Sequence, residues 1–183
     1  MGNCWFTSDL HLGHSPMIML CDRPFENVYK MDRGLIRNWN ARVKPEDTVF
    51  HLGDFCFRNR LSARTYLKEL NGKIILIRGN HDHNNGTDTP ILDMNIHYGG
   101  ENLLLIHDPA DVTCFGGKLV LCGHVHTSWK FQRRYYDFNT EMILSEKDNY
   151  TDFCNVGVDA WNYYPITINE ILKEYNNWKI TQV

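Results

Sequence analysis

Seven polar residues stand immediately after short apolar runs, and their types are those of metal ligands. Cys4-Trp5-Phe6-Thr7 runs into Ser8-Asp9-Leu10-His11, and Thr48-Val49-Phe50-His51-Leu52 runs into Gly53-Asp54. Residues 73–78 lead to Gly79-Asn80-His81-Asp82, residues 102–106 to His107-Asp108, and residues 118–122 to Gly123-His124-Val125-His126. Asp9, His11, Asp54, Asn80, His107, His124 and His126 thus form a mixed set of carboxylates, imidazoles and a carboxamide. Such a set suits borderline divalent ions such as Mn²⁺, Fe²⁺ and Zn²⁺. Seven side chains exceed the need of one ion. One carboxylate shared between two ions gives each four protein ligands and leaves positions for water and substrate.

Runs of four to six apolar residues bounded by Gly and Asp read as buried strands. Between them lie helical patterns. Residues 30–43 place Met31, Leu35, Trp39 and Val43 four apart on one face, with Pro45 as a stop. Residues 61–70 end at Asn71-Gly72, and Asn169 is expected to cap a last helix to about Trp178, with Ile171, Leu172 and Tyr175 as its apolar face. Strands alternating with helices predict an α/β domain with largely parallel strands. Ligands of such sheets bind outside the carboxyl ends of the strands, which brings the seven residues to one rim. Asp9-x-His11 and His124-x-His126 occupy alternating positions that can face one crevice. Gly53, Gly79 and Gly123 each precede a proposed ligand, where the backbone must turn and approach closely. Residues 82–90 read as a loop, residues 127–150 as a hairpin or long excursion, and residues 152–158 as a returning strand.

The whole chain is 183 residues with a net charge of −3, which predicts one domain and no global field for holding nucleic acid. Its longest apolar runs are too short to span a bilayer. The N-terminus reads as lacking a secretory signal, and Phe6 stands where a myristoylation pattern wants Ser or Thr. The six cysteines (Cys4, Cys21, Cys56, Cys114, Cys122, Cys154) form no CxxC pair, which argues against a zinc finger and for free, buried, apolar thiols. A cytoplasmic location is the expectation.

The segments Asp9-x-His11, Gly53-Asp54, Gly79-Asn80-His81-Asp82, His107 and Gly123-His124-x-His126 match, in order, the five motifs of the calcineurin-like metallophosphoesterases. The chain resembles the small bacterial and phage members of that family from residue 4 to about 172, including Trp5-Phe6-Thr7-Ser8-Asp9, Asn38-Trp39-Asn40, Val43-Lys44-Pro45, Leu70-Asn71-Gly72-Lys73 and Asn155-Val156-Gly157-Val158-Asp159. The resemblance implies a four-layer α/β/β/α sandwich of two mixed sheets flanked by helices, with a two-metal site. By that likeness Asp9, His11, Asp54 and His126 hold one ion. Asp54, Asn80, His107 and His124 hold the second, with Asp54 bridging. His81, oriented by Asp82, faces the scissile phosphate and assists the leaving oxygen. Two cations about 3.5–4 Å apart can polarise a bridging water to hydroxide and clamp phosphoryl oxygens for in-line displacement. The implied activity is hydrolysis of phosphodiester or phosphomonoester bonds, with Mn²⁺ the first metal expected, then Fe²⁺ or Zn²⁺. The acidic balance favours a small soluble ester or nucleotide over duplex nucleic acid, with a nuclease retained as an alternative. A rival is a non-catalytic scaffold on the same fold, as in retromer; intact His81 and all seven ligand types argue against it.

Turn and cap chemistry explains any one of these motifs alone, because Asp, Asn and Gly crowd strand ends. It does not easily explain five histidines, His11, His81, His107, His124 and His126, at such strand ends. His14 reads either as a phosphate or outer hydrogen-bond contact or as a cap of the Ser15-Pro16 turn. Arg78, beside Asn80, is a further substrate candidate, because guanidinium pairs bidentately with phosphate. Arg58 and Arg60 read as solvated, His51 as a satisfied core or sheet-face histidine, His83 and His97 as loop and surface groups, and Asp108 as the start of an Asp-Pro turn in preference to an outer contact behind the site. Asn155 and Asp159 are expected to serve the fold. The aromatic and basic stretch from Trp129 to Tyr136 either stacks a base or packs a half-buried hairpin.

Overall fold

The computed structural model describes residues 2–57, 61–83, 85–87, 89–112, 119–135 and 150–182. Arg58, Arg60, Cys114, Tyr136 and the greater part of the 127–150 excursion lie outside the described residues.

Alternation along each strand builds the layers. The first sheet has the order β3-β2-β1-β9, from β1 (Cys4–Thr7), β2 (Thr48–Leu52), β3 (Lys73–Ile77) and β9 (Ile166–Thr167). The first three are parallel, and β9 pairs antiparallel with β1. Trp5, Val49, Ile74 and Leu76 point to one face and pack on three helices, α1 (Pro16–Leu20), α2 (Val28–Arg42) and α3 (Ala63–Leu67). Phe6, Phe50, Leu52, Ile75 and Ile77 point to the other face, where they meet the second sheet. That sheet has the order β4-β5-β6-β8-β7, from β4 (Asp93–Tyr98), β5 (Glu101–Ile106), β6 (Leu119–Cys122), β7 (Phe131–Tyr135) and β8 (Tyr150–Asn155). Strands β5, β6 and β8 are parallel, with antiparallel strands at both edges. Leu103, Leu105, Leu119, Leu121 and Cys154 face inward to the first sheet, whereas Leu104, Ile106, Val120, Cys122 and Phe153 face outward, covered by Val112 and Trp129. The expected α/β class with two mixed sheets and flanking helices is what the chain forms.

Helix α2 follows the predicted face: Met31, Leu35 and Trp39 are buried, and the Asn27 side chain accepts from the Lys30 N–H at 3.0 Å to cap it. The last helix, α4 (Ile168–Ile180), starts earlier than expected. Thr167, not Asn169, is its cap, in a reciprocal capping box with Glu170. Its apolar face, Ile168 and Ile171 with Leu172 and Tyr175, closes the side of the inter-sheet core. Helix α3 spans only part of the expected residues 61–70. Strand β4 escaped the sequence reading. Met94, Ile96 and Tyr98 alternate with polar residues and run into Gly99-Gly100, both at positive φ, which was the available hairpin signal. The expected strand at 152–158 is β8 with an earlier start, and it pairs with β7 as the hairpin alternative for 127–150 supposed. Among the described residues no helix is long and apolar enough to cross a membrane.

Candidate metal centre

The carboxyl ends of β1, β2, β3, β5 and β6 meet at one rim. There the chain does not continue as extended strand, contrary to the simple alternation expected for Asp9-x-His11 and His124-x-His126. Asp9 (φ 58), His11 (φ 49), Asp54 (φ 57), His124 (φ 70) and His126 (φ 47) all adopt the left-handed backbone. They are five of the eight non-glycine residues that do so among the described residues. Each such residue costs free energy, and clusters of them mark sites where side-chain aim outweighs backbone comfort. The first two loops are stitched together by Asp9 N–H to Gly53 O and His11 N–H to Asp54 O, both at 3.0 Å.

Close approach also requires missing side chains. A Cβ at Gly79 would stand 2.2 Å from Asp54 Oδ1, and one at Gly123 would stand 2.6 Å from Asp9 Oδ2. Gly53 provides the turn itself at φ +91.

The candidate ligand atoms converge around Asp9 and Asp54. Asp54 Oδ2 lies 3.4 Å from His11 Nε2 and 3.5 Å from His107 Nε2. Asn80 Oδ1 lies 2.9 Å from His107 Nε2 and 3.0 Å from His124 Nδ1. Ligand atoms of Asp9, His11 and His126 lie within 4.8 Å of one another, as do those of Asp9, Asp54 and His107. The structure therefore brings all seven residues to one place. Their orientation is held from behind. The ring of His107 has Nδ1 at 2.7 Å from Leu52 O, so that nitrogen donates to the carbonyl and Nε2 faces Asp54 and Asn80. His124 Nε2 has Asp108 Oδ2 at 3.6 Å, and Asp108 also caps the next turn through Ala110 N–H, so the expected turn role is only half of what Asp108 does.

A divalent cation fits this donor set. His11 Nε2 is buried and has no hydrogen-bond partner, an orphan that ligation would satisfy. The charges point the same way. Burial pushes the Asp9 carboxyl up. Burial would also raise Asp54, but hydrogen bonding and charge from His107, with the charge of His11, hold it well below the carboxylate range. Burial holds His11 down to about 2. His107 is pushed up to about 9 against its burial by Asp54 and Asp9, and His126 to about 10 against its burial by Asp159 and Cys21. Two buried carboxylates are drawing protons onto imidazoles where a cation would otherwise answer them.

His81 lies at the mouth. Its N–H donates to Asp54 Oδ1 at 2.9 Å, and its ring centroid is 5.4 Å from that of His11 and 6.1 Å from that of His14. His14 lies flat on Phe57 (4.0 Å, 7°) with Nδ1 3.4 Å from His11 Nδ1, so its side chain supports the centre rather than the Ser15-Pro16 turn. A cleft of about 590 Å³ opens over these rings, lined also by Met17, Leu20 and Val125. Arg78 lines a separate cleft of about 340 Å³ together with Asn80 and His107.

Asp82 corrects an expectation. Its Oδ2 accepts from Asp54 N–H (2.8 Å) and Gly79 N–H (2.9 Å), and its Oδ1 from Phe55 N–H (3.0 Å) and Asn85 Nδ2 (2.8 Å). Both oxygens are thereby committed to bracing two ligand loops, and neither orients the His81 ring. His51 is buried between Trp39 and Phe55, but neither ring nitrogen has a hydrogen-bond partner, so it is not the satisfied histidine that was expected. The stretch from Trp129 packs rather than presents its rings: Phe131 stacks on Trp178, Lys130 covers Trp161, and Arg133 forks onto Asp152.

Arg23 was missed, and Asp159, expected only to serve the fold, stands behind a proposed ligand. Asp159 Oδ2 lies 3.0 Å from His126 Nδ1, and the wholly buried Arg23 forks onto Asp159. Asp159 closes the Asn155-Val156-Gly157-Val158-Asp159 segment, but nothing in sequence pairs it with Arg23, because that contact spans 136 residues of chain.

Comparison with known proteins bears on this geometry. The model of the calcineurin-like phosphoesterase superfamily domain matches residues 4–157. The chain belongs to this superfamily. An uncharacterised protein of Methanocaldococcus jannaschii is 32% identical over 185 residues, covering 100% of this chain and 96% of the relative. The gene 66 protein of a Mycobacterium phage is 35% identical over 85 residues, 45% of this chain and 41% of its own length. Among solved structures, a protein of unknown function from Aquifex aeolicus superposes with a TM-score of 0.65 at 24% identity, covering 94% of this chain and 99% of that one. That likeness concerns the fold. Every proposed ligand of this calcineurin-like chain falls inside the matched residues, whereas Asp159 falls outside them.

Proposed function

We propose that the protein is a phosphoesterase that hydrolyses phosphodiester or phosphomonoester bonds with two divalent ions, Mn²⁺ foremost and Fe²⁺ or Zn²⁺ as alternatives. The reading rests on one observation: seven ligand-type side chains from five strand ends converge around the Asp54 carboxylate, with His11 Nε2 left orphaned. Asp9, His11, Asp54 and His126 would hold one ion, and Asp54, Asn80, His107 and His124 the other. When bound, such ions supply Lewis-acid activation of water and of phosphoryl oxygens.

The remaining work belongs to the chain. Asp54 is fixed by the His81 N–H, so the loop that carries His81 moves with the shared carboxylate. The His81 ring stands at the mouth beside His11 and His14, where it donates a proton to the departing ester oxygen. Asn80 and Arg78 border the second cleft and supply contacts to the phosphoryl group or to a further anionic group of the ester. Net charge −3 and clefts of about 590 and 340 Å³ suit a small ester or nucleotide rather than duplex nucleic acid.

Metal analysis after dialysis, with turnover of bis-p-nitrophenyl phosphate in added Mn²⁺, tests the reading. Two ions per chain and turnover are expected. Tight metal binding with no turnover across nucleotide, cyclic-nucleotide and sugar phosphates would replace it with the scaffold reading.

A further inference from the structure

Beneath the Asp9–His11–His126 side of the centre lies a buried chain of charge that the ligand set does not need by count. Both side chains of the Arg23–Asp159 pair are 0% exposed. Arg23 Nε donates to Asp159 Oδ1 at 2.8 Å, and one terminal nitrogen donates to Asp159 Oδ2 at 2.9 Å. That same nitrogen reaches the carbonyl oxygen of Asp9 at 2.8 Å, and the other reaches the carbonyl of Leu10 at 3.0 Å. Asp159 Oδ2 then stands 3.0 Å from His126 Nδ1. One guanidinium thereby grips the left-handed backbone at Asp9 and the carboxylate behind His126, tying two ligands from opposite ends of the chain.

Burying an ion pair is a poor way to gain stability, because desolvation cancels much of the attraction. Its geometry is therefore better explained by what it orients. A carboxylate behind a ligating imidazole fixes its tautomer and ring direction. Cys21, His126 and Asp159 also lie within 4.8 Å of one another, but both Asp159 oxygens are already taken by Arg23, which disfavours a separate ion there.

We propose that Arg23 and Asp159 are positioning residues that hold His126 with its proton on Nδ1 and its Nε2 lone pair toward Asp9 and His11, and so set the metal affinity of that position alone. This rests on the two-ion reading above. The second position has its own fixture in the Leu52 carbonyl behind His107, which Arg23 does not touch.

The test is a calorimetric Mn²⁺ titration of the full chain, stripped of metal beforehand. Wild type is expected to show two binding events. Asp159→Asn keeps an oxygen for Arg23 but removes the counter-charge of its buried guanidinium, so the fold of the variant is checked by circular dichroism before titration. The substitution should weaken one event by about 10–100-fold and leave the other unchanged. Arg23→Lys keeps the charge but not the fork, and should weaken the same event. Histidine ¹⁵N shifts of the Zn²⁺-loaded protein give a second readout, expected to show His126 protonated at Nδ1 in wild type and a tautomer mixture in Asp159→Ala. Both events weakening together, or neither in a folded Asp159→Asn variant, would overturn the proposal while leaving the two-ion reading intact. A wild type that takes up no ion would instead remove the reading beneath it.

Discussion

At the amino-terminal ends of β1 and β2 the buried Asp47 carboxylate is fully engaged. Asp47 accepts from Asn3 N–H (2.7 Å), Lys44 N–H (2.9 Å) and Trp5 Nε1 (2.9 Å), and Thr48 N–H donates to Asn3 O (2.9 Å). The Lys44 N–H, with Trp5 and Asn3, holds the Asp47 carboxyl below its usual range. At the carboxyl-terminal ends of the same strands, Asp9, His11 and Asp54 stand in left-handed backbone, two buried carboxylates converge, and His11 Nε2 has no partner. Two strands of one sheet thus end in a satisfied clamp on one side and an unsatisfied one on the other. The contrast teaches where this fold places its strain: the local cost is concentrated where a ligand would relieve it, and the opposite end supplies ordinary stability.

The comparison breaks most sharply at Asp54. Asp54→Ala should abolish tight metal retention and cut phosphoester turnover at least about 10³-fold, because several kcal/mol of Lewis-acid stabilisation depend on it. Metal content and a hydrolysis assay on the same preparation check this. At the other end, Asp47→Ala should cost about 2–4 kcal/mol by leaving three donors short of their acceptor, with metal stoichiometry unchanged. Chemical denaturation reads it, and loss of metal in a folded Asp47→Ala protein would erase the distinction between the two ends.

His81→Ala should lower kcat about 10²-fold while metal content stays at the wild-type level, since its ring is assigned to the leaving oxygen and not to an ion. Loss of metal in that variant would move His81 into the ligand set. The smallest effect concerns pH. In the metal-free chain Asp159 and Cys21 push His126 up to about 10 and Asp54 and Asp9 push His107 up to about 9, each against its burial, which favours protonated rings at neutral pH. Each proposed position contains one of them, and an ion must displace its proton. Apparent affinity should therefore fall about tenfold for each unit the pH drops below 9, at both positions. Titrations at pH 7 and 8 measure the slope, and a flat response would mean that the rings are already neutral.

Much of the candidate centre was legible because it is written in local text. Strand, glycine and ligand are contiguous at Gly53-Asp54, Gly79-Asn80 and Gly123-His124, and the rule that ligands bind outside the carboxyl ends of such strands says which end of a run is the rim. The direction of Asp82 was not legible, because a carboxylate one residue from His81 is indistinguishable in sequence from one that turns to the amides of Asp54, Phe55 and Gly79. Strand β4 was legible but passed over, since its apolar residues are half-buried and its partner is set by a glycine pair.

Residue types and order were enough to single out seven candidate ligands and an α/β frame, because hydrophobic period and turn chemistry act over a few residues; the separate role proposed for His81 came from the family resemblance. Three-dimensional packing alone decided that left-handed backbone would aim those ligands, that His14 would lie on Phe57, and that Arg23 would join Asp159 to His126 and Asp9. The physical reason is range: a buried ion pair or a stacked ring depends on which distant segments exclude water from it, and no local pattern carries that information.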